Sequence, residues 1–178
     1  MPTRTLPELI AEVAKRQRGG HPLRMPVGVI GPRQATPAQV DAARAVGRGI
    51  AEMGLVLLCG GRGGVMEGAC QGAAEAGGIA IGVLPDAEAG PANPYATVVL
   101  ATGIGEARNA VIARAALCLV AIGDNFGTLS EVALGRQFGK LVIGLEGAAQ
   151  VEGVVQLDSC AAALEQVARC ALGAPTGH

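Results

Sequence analysis

Two glycine-rich segments constrain the fold of this chain more than any other feature, because each stands between an apolar run and a helix pattern. The first, 59–68, follows the apolar run 55–58, and the second, 123–131, follows the run 117–122. Glycine has no Cβ, so the backbone of such a turn can approach a ligand closely. A helix that begins at the turn directs free N–H groups and partial positive charge toward the same place. The two segments therefore predict a site for a phosphate-bearing or otherwise anionic ligand.

Short apolar runs alternate with helix patterns along most of the chain. The predicted strands are 27–30, 55–59, 79–84, 97–100, 117–122, 141–145 and a possible seventh at 151–157. The predicted helices are 37–53, 65–76, 106–116, 129–138 and 159–171. This alternation is typical of βαβ units and predicts an α/β fold with a mostly parallel sheet of about six or seven strands. Right-handed crossovers bring the strand-to-helix loops, including 103–108, to one edge of that sheet, where ligands bind.

The chain is predicted to divide into three parts. Residues 1–25 form an amphipathic helix and a basic linker, 26–172 form a single domain, and 173–178 form a frayed tail. Apolar residues of the first part recur at helical spacing, at Leu6, Leu9, Ile10 and Val13. We expect this helix to dock on the domain or on a partner subunit.

Composition and charge exclude several classes of function. Lys+Arg number 14 against 15 Asp+Glu, and aromatic residues make up 2 % of the chain, which argues against nucleic-acid binding. The five cysteines form no C-x-x-C pair, as expected for reduced thiols, and no residue set has the spacing of metal ligands. The N-terminus lacks a signal-like apolar segment, and no apolar run reaches about 18 residues. We therefore expect a cytoplasmic protein without a membrane span.

Two common phosphate-binding motifs are absent. Gly103 and Gly105 begin a G-x-G-x-x-G pattern, but Arg108 occupies the place of its third glycine, and no Walker A sequence follows either glycine-rich segment. Arg108 lies in the first turn of a predicted helix, where a cation opposes the helix dipole. Its partner could be a phosphate or a carboxylate such as Glu131, or it could be solvated. Glu131 in turn either closes a capping box with Thr128 or lies beside the ligand as a base or a hydroxyl-binding group.

Three segments in register resemble the LOG superfamily, long misnamed "lysine decarboxylase-like", and within it the molybdenum cofactor carrier branch. They are 60–67, 103–109 and 127–131, and the resemblance extends over about 26–145. It implies a Rossmann-like three-layer fold and a homodimer or homotetramer. LOG enzymes hydrolyse the N-glycosidic bond of nucleoside 5′-monophosphates, whereas the carrier branch is thought to bind the phosphate-bearing molybdopterin cofactor.

The resemblance also implies roles for individual residues. In LOG enzymes, the residues that match Arg108 and Glu131 are the catalytic pair, and those that match Gly127 and Thr128 hold the phosphate. The predicted ligand-binding residues are Gly60, Gly61, Arg62, Gly63, Gly103, Gly105, Arg108, Asn109, Asn125, Gly127, Thr128 and Glu131.

The second glycine-rich segment departs from the LOG pattern Pro-Gly-Gly-x-Gly-Thr-x-x-Glu. Gly123, Asp124 and Asn125 stand at its first three positions, and an aspartate near a phosphate would repel it. Two hypotheses follow. The first is a carrier or binding protein for a molybdopterin-type cofactor or a nucleotide, which requires no cofactor of its own. The second is a phosphoribohydrolase in which Arg108 and Glu131 are catalytic.

Overall fold

The computed structural model describes residues 4–173, which form a three-layer α/β fold. The strands are β1 Val27–Ile30, β2 Leu57–Cys59, β3 Ala80–Leu84, β4 Val98–Ala101, β5 Leu119–Ile122, β6 Val142–Leu145 and β7 Val155–Gln156. The helices are α1 Leu6–Gln17, α2 Pro37–Glu52, α3 Val65–Glu75, α4 Arg108–Ala115, α5 Phe126–Gln137 and α6 Cys160–Leu172. A single 3-10 turn, Gly105–Ala107, leads directly into α4.

All the strands of the sheet are parallel, and their order is β4-β3-β2-β1-β5-β6-β7. The order confirms the predicted α/β class. The chain builds the sheet outward from β1 to β4 and then returns to the other side of β1 to add β5 through β7. The strand order thus reverses between β1 and β5, and in open parallel sheets such a reversal leaves a crevice at the carboxyl edge.

Side chains of alternating orientation divide the core between the two faces of the sheet. Helices α1, α2, α3 and α6 cover one face, where they pack on a cluster that includes Val29, Leu57 and Ile143. Helices α4 and α5 cover the other face, where Ile112 and Val132 pack on Ile30 and other strand residues. Because both faces are covered, the central strands are buried along their whole length, and their sequences read as continuous apolar runs.

The N-terminal helix α1 packs on the same core. Leu9 and Val13 are buried, and the guanidinium of Arg16 donates a 2.7 Å hydrogen bond to the carbonyl of Ala171 at the end of α6. A capping box at Thr5 and Glu8 begins the helix. We expected this helix to dock on the domain or on a partner subunit, and the structure shows it docked on the domain. The predicted tail lies outside the described residues, except for Gly173.

Strand β1 has the predicted bounds, and most other elements differ from the predictions by one to four residues at one or both ends. Strands β2 and β5 each begin two residues later than predicted, and β7 contains only two residues. Among residues 4–173, no helix is long and apolar enough to cross a membrane.

Glycines bring α2 and α3 into backbone contact, which suits a core that is poor in aromatic residues. A Cβ on Gly47 would lie 2.0 Å from the carbonyl oxygen of Ala69, and one on Gly72 would lie 1.9 Å from that of Arg44. These distances are far below van der Waals contact. The two helices can therefore pack at this separation only with glycine at both positions.

We predict that Gly72→Ala destabilises the protein by about 1–3 kcal/mol, because the added methyl group must push two backbones apart. This steric cost outweighs helix propensity, which by itself would favour alanine by roughly 1 kcal/mol. Urea denaturation measures the effect. Gly90→Ala is the control, because a Cβ there meets nothing within 4 Å. Equal stability of Gly72→Ala and the wild type would contradict the close contact of α2 and α3.

Candidate functional site

A cleft of about 230 Å³ opens at the carboxyl edge of the sheet, beside the reversal of strand order. The loops that follow β1, β2, β3 and β5 form its walls, together with the first turns of α4 and α5. The lining residues are Gly31, Arg33, Arg62, Met66, Pro85, Glu106, Arg108, Asn109, Asn125, Gly127, Thr128 and Glu131.

Arg108 and Glu131 form a buried side-chain pair in this cleft. Their side chains are 8 % and 7 % exposed, and Nη1 of Arg108 lies 3.5 Å from Oε1 of Glu131. The backbone of Gly60 lies against the guanidinium, because a Cβ at Gly60 would be 2.6 Å from Nη1. Glu131 gives Arg108 a hydrogen-bond acceptor at the start of α4, where a cation is otherwise unfavourable. Gly60, in the first glycine-rich segment, therefore supports the arginine side chain and does not itself line the cleft.

Burial raises the pKa of Glu131 to about 8. Desolvation of the carboxylate is the main cause, the guanidinium of Arg108 opposes it, and the carboxylate of Glu106 adds to it. At neutral pH, Glu131 therefore holds a proton in the protein without a ligand. In this state it can donate a hydrogen bond as well as accept one.

Helix α5 begins at Phe126, three residues before the predicted start at Leu129. Asn125 is the N-cap, and its side-chain oxygen accepts a 2.8 Å hydrogen bond from the N–H of Thr128. The predicted capping box between Thr128 and Glu131 is therefore wrong, since both residues lie inside the helix. Gly127 and Thr128 thus lie in the first turn of α5, where N–H groups lack intrahelical partners.

Polar atoms without partners concentrate in the cleft. Within residues 4–173, six buried side-chain nitrogen and oxygen atoms have no hydrogen-bond partner, and four of them belong to cleft residues. These four are Nε of Arg62, Nε of Arg108, Oδ1 of Asn109 and Oγ1 of Thr128. A buried polar group that lacks a partner costs about 1–3 kcal/mol. Binding of a polar ligand would recover part of this cost.

Arg62 lines the cleft but is already paired. Its guanidinium contacts the carboxylate of Asp86, and the side-chain amide of Asn93 donates a 3.1 Å hydrogen bond to its carbonyl. The N–H of Gly103 in turn bonds to the carbonyl of Asp86 at 2.9 Å. Arg62 thus joins the first glycine-rich segment to the turn that leads to Arg108.

The structure separates the predicted site residues into two groups. Arg62, Arg108, Asn109, Asn125, Gly127, Thr128 and Glu131 line the cleft, whereas Gly60, Gly61, Gly63, Gly103 and Gly105 do not. Gly61, Gly103 and Gly105 have φ of +74°, +66° and +61°, so their role is to form turns that other residues rarely adopt.

Asp124, which was expected to repel a phosphate, is exposed and does not line the cleft. Its neighbour Asn125 both lines the cleft and caps α5. The departure from the LOG pattern therefore puts an amide, and not a carboxylate, at the cleft wall.

Sequence reasoning missed five cleft residues: Gly31, Arg33, Met66, Pro85 and Glu106. Gly31 and Pro85 directly follow β1 and β3, so the rule that ligands bind at the carboxyl ends of parallel strands could have indicated them. Within the described residues, no group of three or more His, Cys, Asp or Glu side chains could hold a metal ion.

Comparison with known proteins assigns the family. The model of the SLOG cluster4 family matches residues 24–170. The chain belongs to this family. The match confirms the resemblance to the LOG superfamily and includes every residue of the cleft.

Solved structures of related proteins share the fold of this SLOG cluster4 member. The molybdenum cofactor binding protein of Rippkaea orientalis is 37 % identical, with a TM-score of 0.78, and the match covers 82 % of this chain and 96 % of that one. The molybdenum cofactor carrier protein of Chlamydomonas reinhardtii is 33 % identical, with a TM-score of 0.75, and the match covers 83 % of this chain and 98 % of that one.

A relative is also found by sequence. A protein of Archaeoglobus fulgidus is 38 % identical over 130 residues, which are 73 % of this chain and 85 % of that protein.

We predict that Glu131 makes the stability of the protein depend on pH. Because its pKa is raised from 4.5 to about 8, the folded state holds a proton that the unfolded state releases. Stability from this group is fully present below about pH 4.5 and falls as the pH rises to about 8. Each pKa unit corresponds to about 1.4 kcal/mol, so the loss amounts to several kcal/mol.

Urea denaturation at pH 5, 7 and 9 measures this loss. The free energy of unfolding of Glu131→Gln should fall less than that of the wild type across this range. The exposed Glu88→Gln is the control and should follow the wild type. Parallel pH profiles of Glu131→Gln and the wild type would contradict the buried, protonated state.

Proposed function

We propose that this protein binds a phosphate-bearing small molecule of the molybdopterin-cofactor type in the cleft, and that it acts as a carrier or binding protein. The observation that carries the proposal is the concentration of buried, unpartnered polar atoms in the cleft. Three of the four atoms, on Arg62, Arg108 and Thr128, can donate a hydrogen bond to an anionic oxygen.

The start of α5 suits the phosphate of such a ligand. The N–H groups of Phe126 and Gly127 lie in the first turn and are free of intrahelical bonds, while Asn125 occupies only that of Thr128. The positive end of the helix dipole favours an anion at this place. The hydroxyl of Thr128 and the guanidinium of Arg108 would complete the seat, so these residues fit the phosphate end of the cofactor.

The protonated state of Glu131 leaves the charge of Arg108 available to an anionic ligand. Its neighbour Arg108 gains no full negative partner while the carboxyl is neutral, so an incoming phosphate can supply that charge. Two of the related structures are named as proteins that bind or carry the molybdenum cofactor, which supports the same function here.

We predict that Arg108→Met lowers the affinity for a molybdopterin-type ligand at least tenfold, since one charge-assisted hydrogen bond contributes about 1.5–3 kcal/mol. Isothermal titration calorimetry with purified molybdopterin measures the loss, and pterin fluorescence of the purified protein reports ligand that is retained. Arg48→Met is the matched control, because Arg48 pairs with Glu75 on the outer surface of α2 and α3. If Arg108→Met binds as tightly as Arg48→Met, the phosphate seat is elsewhere.

The buried pair of Arg108 and Glu131 keeps a second candidate function open, hydrolysis of nucleoside 5′-monophosphates. In that function Arg108 would fix the substrate and Glu131 would act at the ribose. A panel of nucleoside monophosphates, assayed for release of ribose 5-phosphate, tests it. We expect no release above background at pH 7. Release that Glu131→Gln lowers at least 100-fold would instead establish the hydrolase and displace the carrier function.

A further inference from the structure

Asn109 lines the cleft and connects the first turn of α4 to α5. It is 5 % exposed, and its side-chain nitrogen Nδ2 donates a 3.0 Å hydrogen bond to the hydroxyl oxygen of Ser130. That hydroxyl donates a 2.7 Å hydrogen bond to the carbonyl of Gly127. The three residues form a short chain of hydrogen bonds that ends in the turn proposed to seat the phosphate.

This chain of bonds fixes the orientation of the Asn109 amide. A serine hydroxyl has one hydrogen, and that of Ser130 is used by Gly127. Its oxygen can then only accept, so Asn109 must present Nδ2 to it and turn Oδ1 the other way. Oδ1 of Asn109 is buried and has no hydrogen-bond partner among the described residues.

Oδ1 of Asn109 differs in kind from the other unpartnered atoms of the cleft. The two arginine Nε atoms only donate, and the Thr128 hydroxyl can donate or accept, but a carbonyl oxygen only accepts. A ligand made of anionic oxygens alone would satisfy the donors and leave Oδ1 facing a lone pair. A ligand that satisfies all four atoms must also carry a hydrogen-bond donor.

We infer that Oδ1 of Asn109 accepts a hydrogen bond from the ligand, so that the site selects an oxyanion with an O–H donor close to its charged oxygens. The inference rests on the proposed function, because it describes the same cleft. The link through Ser130 to Gly127 keeps the donor close to the phosphate seat. The O–H group has two possible sources, a protonated phosphate oxygen or a hydroxyl on a neighbouring carbon.

Calorimetric titrations with sulfate, methyl phosphate and glycerol 2-phosphate separate these sources. The second pKa of a phosphate ester is about 6, so methyl phosphate carries no donor at pH 8.5 and a partly protonated oxygen at pH 5.5. Sulfate carries no donor at either pH. The change in its affinity between the two pH values therefore measures the effect of titrating groups of the protein. Glycerol 2-phosphate keeps its carbon hydroxyls at both.

With a carbon hydroxyl as the source, glycerol 2-phosphate should bind about tenfold more tightly than methyl phosphate at pH 8.5. With a phosphate O–H as the source, the affinity for methyl phosphate should rise about tenfold relative to the affinity for sulfate when the pH falls from 8.5 to 5.5. Binding of all three probes with no such preference overturns the inference and leaves the proposed phosphate seat intact. Failure of all three to bind the wild type overturns the proposed function and the inference together.

Two variants test whether Asn109 is the source of the preference. Asn109→Leu has nearly the same shape but no acceptor, so the preference for the donor-bearing probe should fall from about tenfold to none. Ser130→Ala frees the amide to rotate, so the preference should fall to an intermediate value. Thermal unfolding of both variants checks that they fold. If Asn109→Leu folds and keeps the tenfold preference, another residue accepts the bond and the inference is wrong.

Discussion

The buried contact of Arg108 with Glu131 is the interaction on which the cleft depends. It joins the first turn of α4 to the second turn of α5, and the guanidinium lies on the backbone of Gly60 from the first glycine-rich segment. Three loops that are distant in sequence therefore converge on one side chain. Because a buried charge is costly without its polar contacts, Arg108 favours the arrangement in which these loops stay close to it.

The raised pKa of Glu131 gives this pair a particular state. A neutral Glu131 leaves Arg108 with a hydrogen-bonded neighbour and without a full counter-charge. An anionic ligand can supply that counter-charge without displacing the carboxyl group. This arrangement therefore favours a site that holds an anion.

The sequence allowed most of the fold to be predicted, because the signals for it are local. Apolar runs mark the strands that are buried on both faces, and Thr36 with Gln39 marks the start of α2 by a capping box that the structure contains. The predicted start of α5 was wrong because Asn125 and Thr128 are both good N-cap residues. Only the packing of α5 on the sheet decides between them.

The candidate site was less predictable because its contacts cross long stretches of sequence. Arg62 was predicted to bind the ligand, and its pairing with Asp86, 24 residues away, has no signal in the local pattern. Arg33 enters the cleft from a loop outside the three segments of the family resemblance, whereas Glu106 lies inside 103–109 and was not predicted as a site residue. The unpartnered atoms of Asn109 and Thr128 emerge only when every neighbour is in place.

The most direct test of the central claim is to follow the backbone amide signals of the protein by nuclear magnetic resonance during titration with a molybdopterin-type ligand. A phosphate at the start of α5 should shift the Phe126 and Gly127 amide signals most strongly, because their N–H groups would bond to it, while Gly90 stays unchanged. Saturating binding that leaves the Phe126 and Gly127 signals in place would contradict the account.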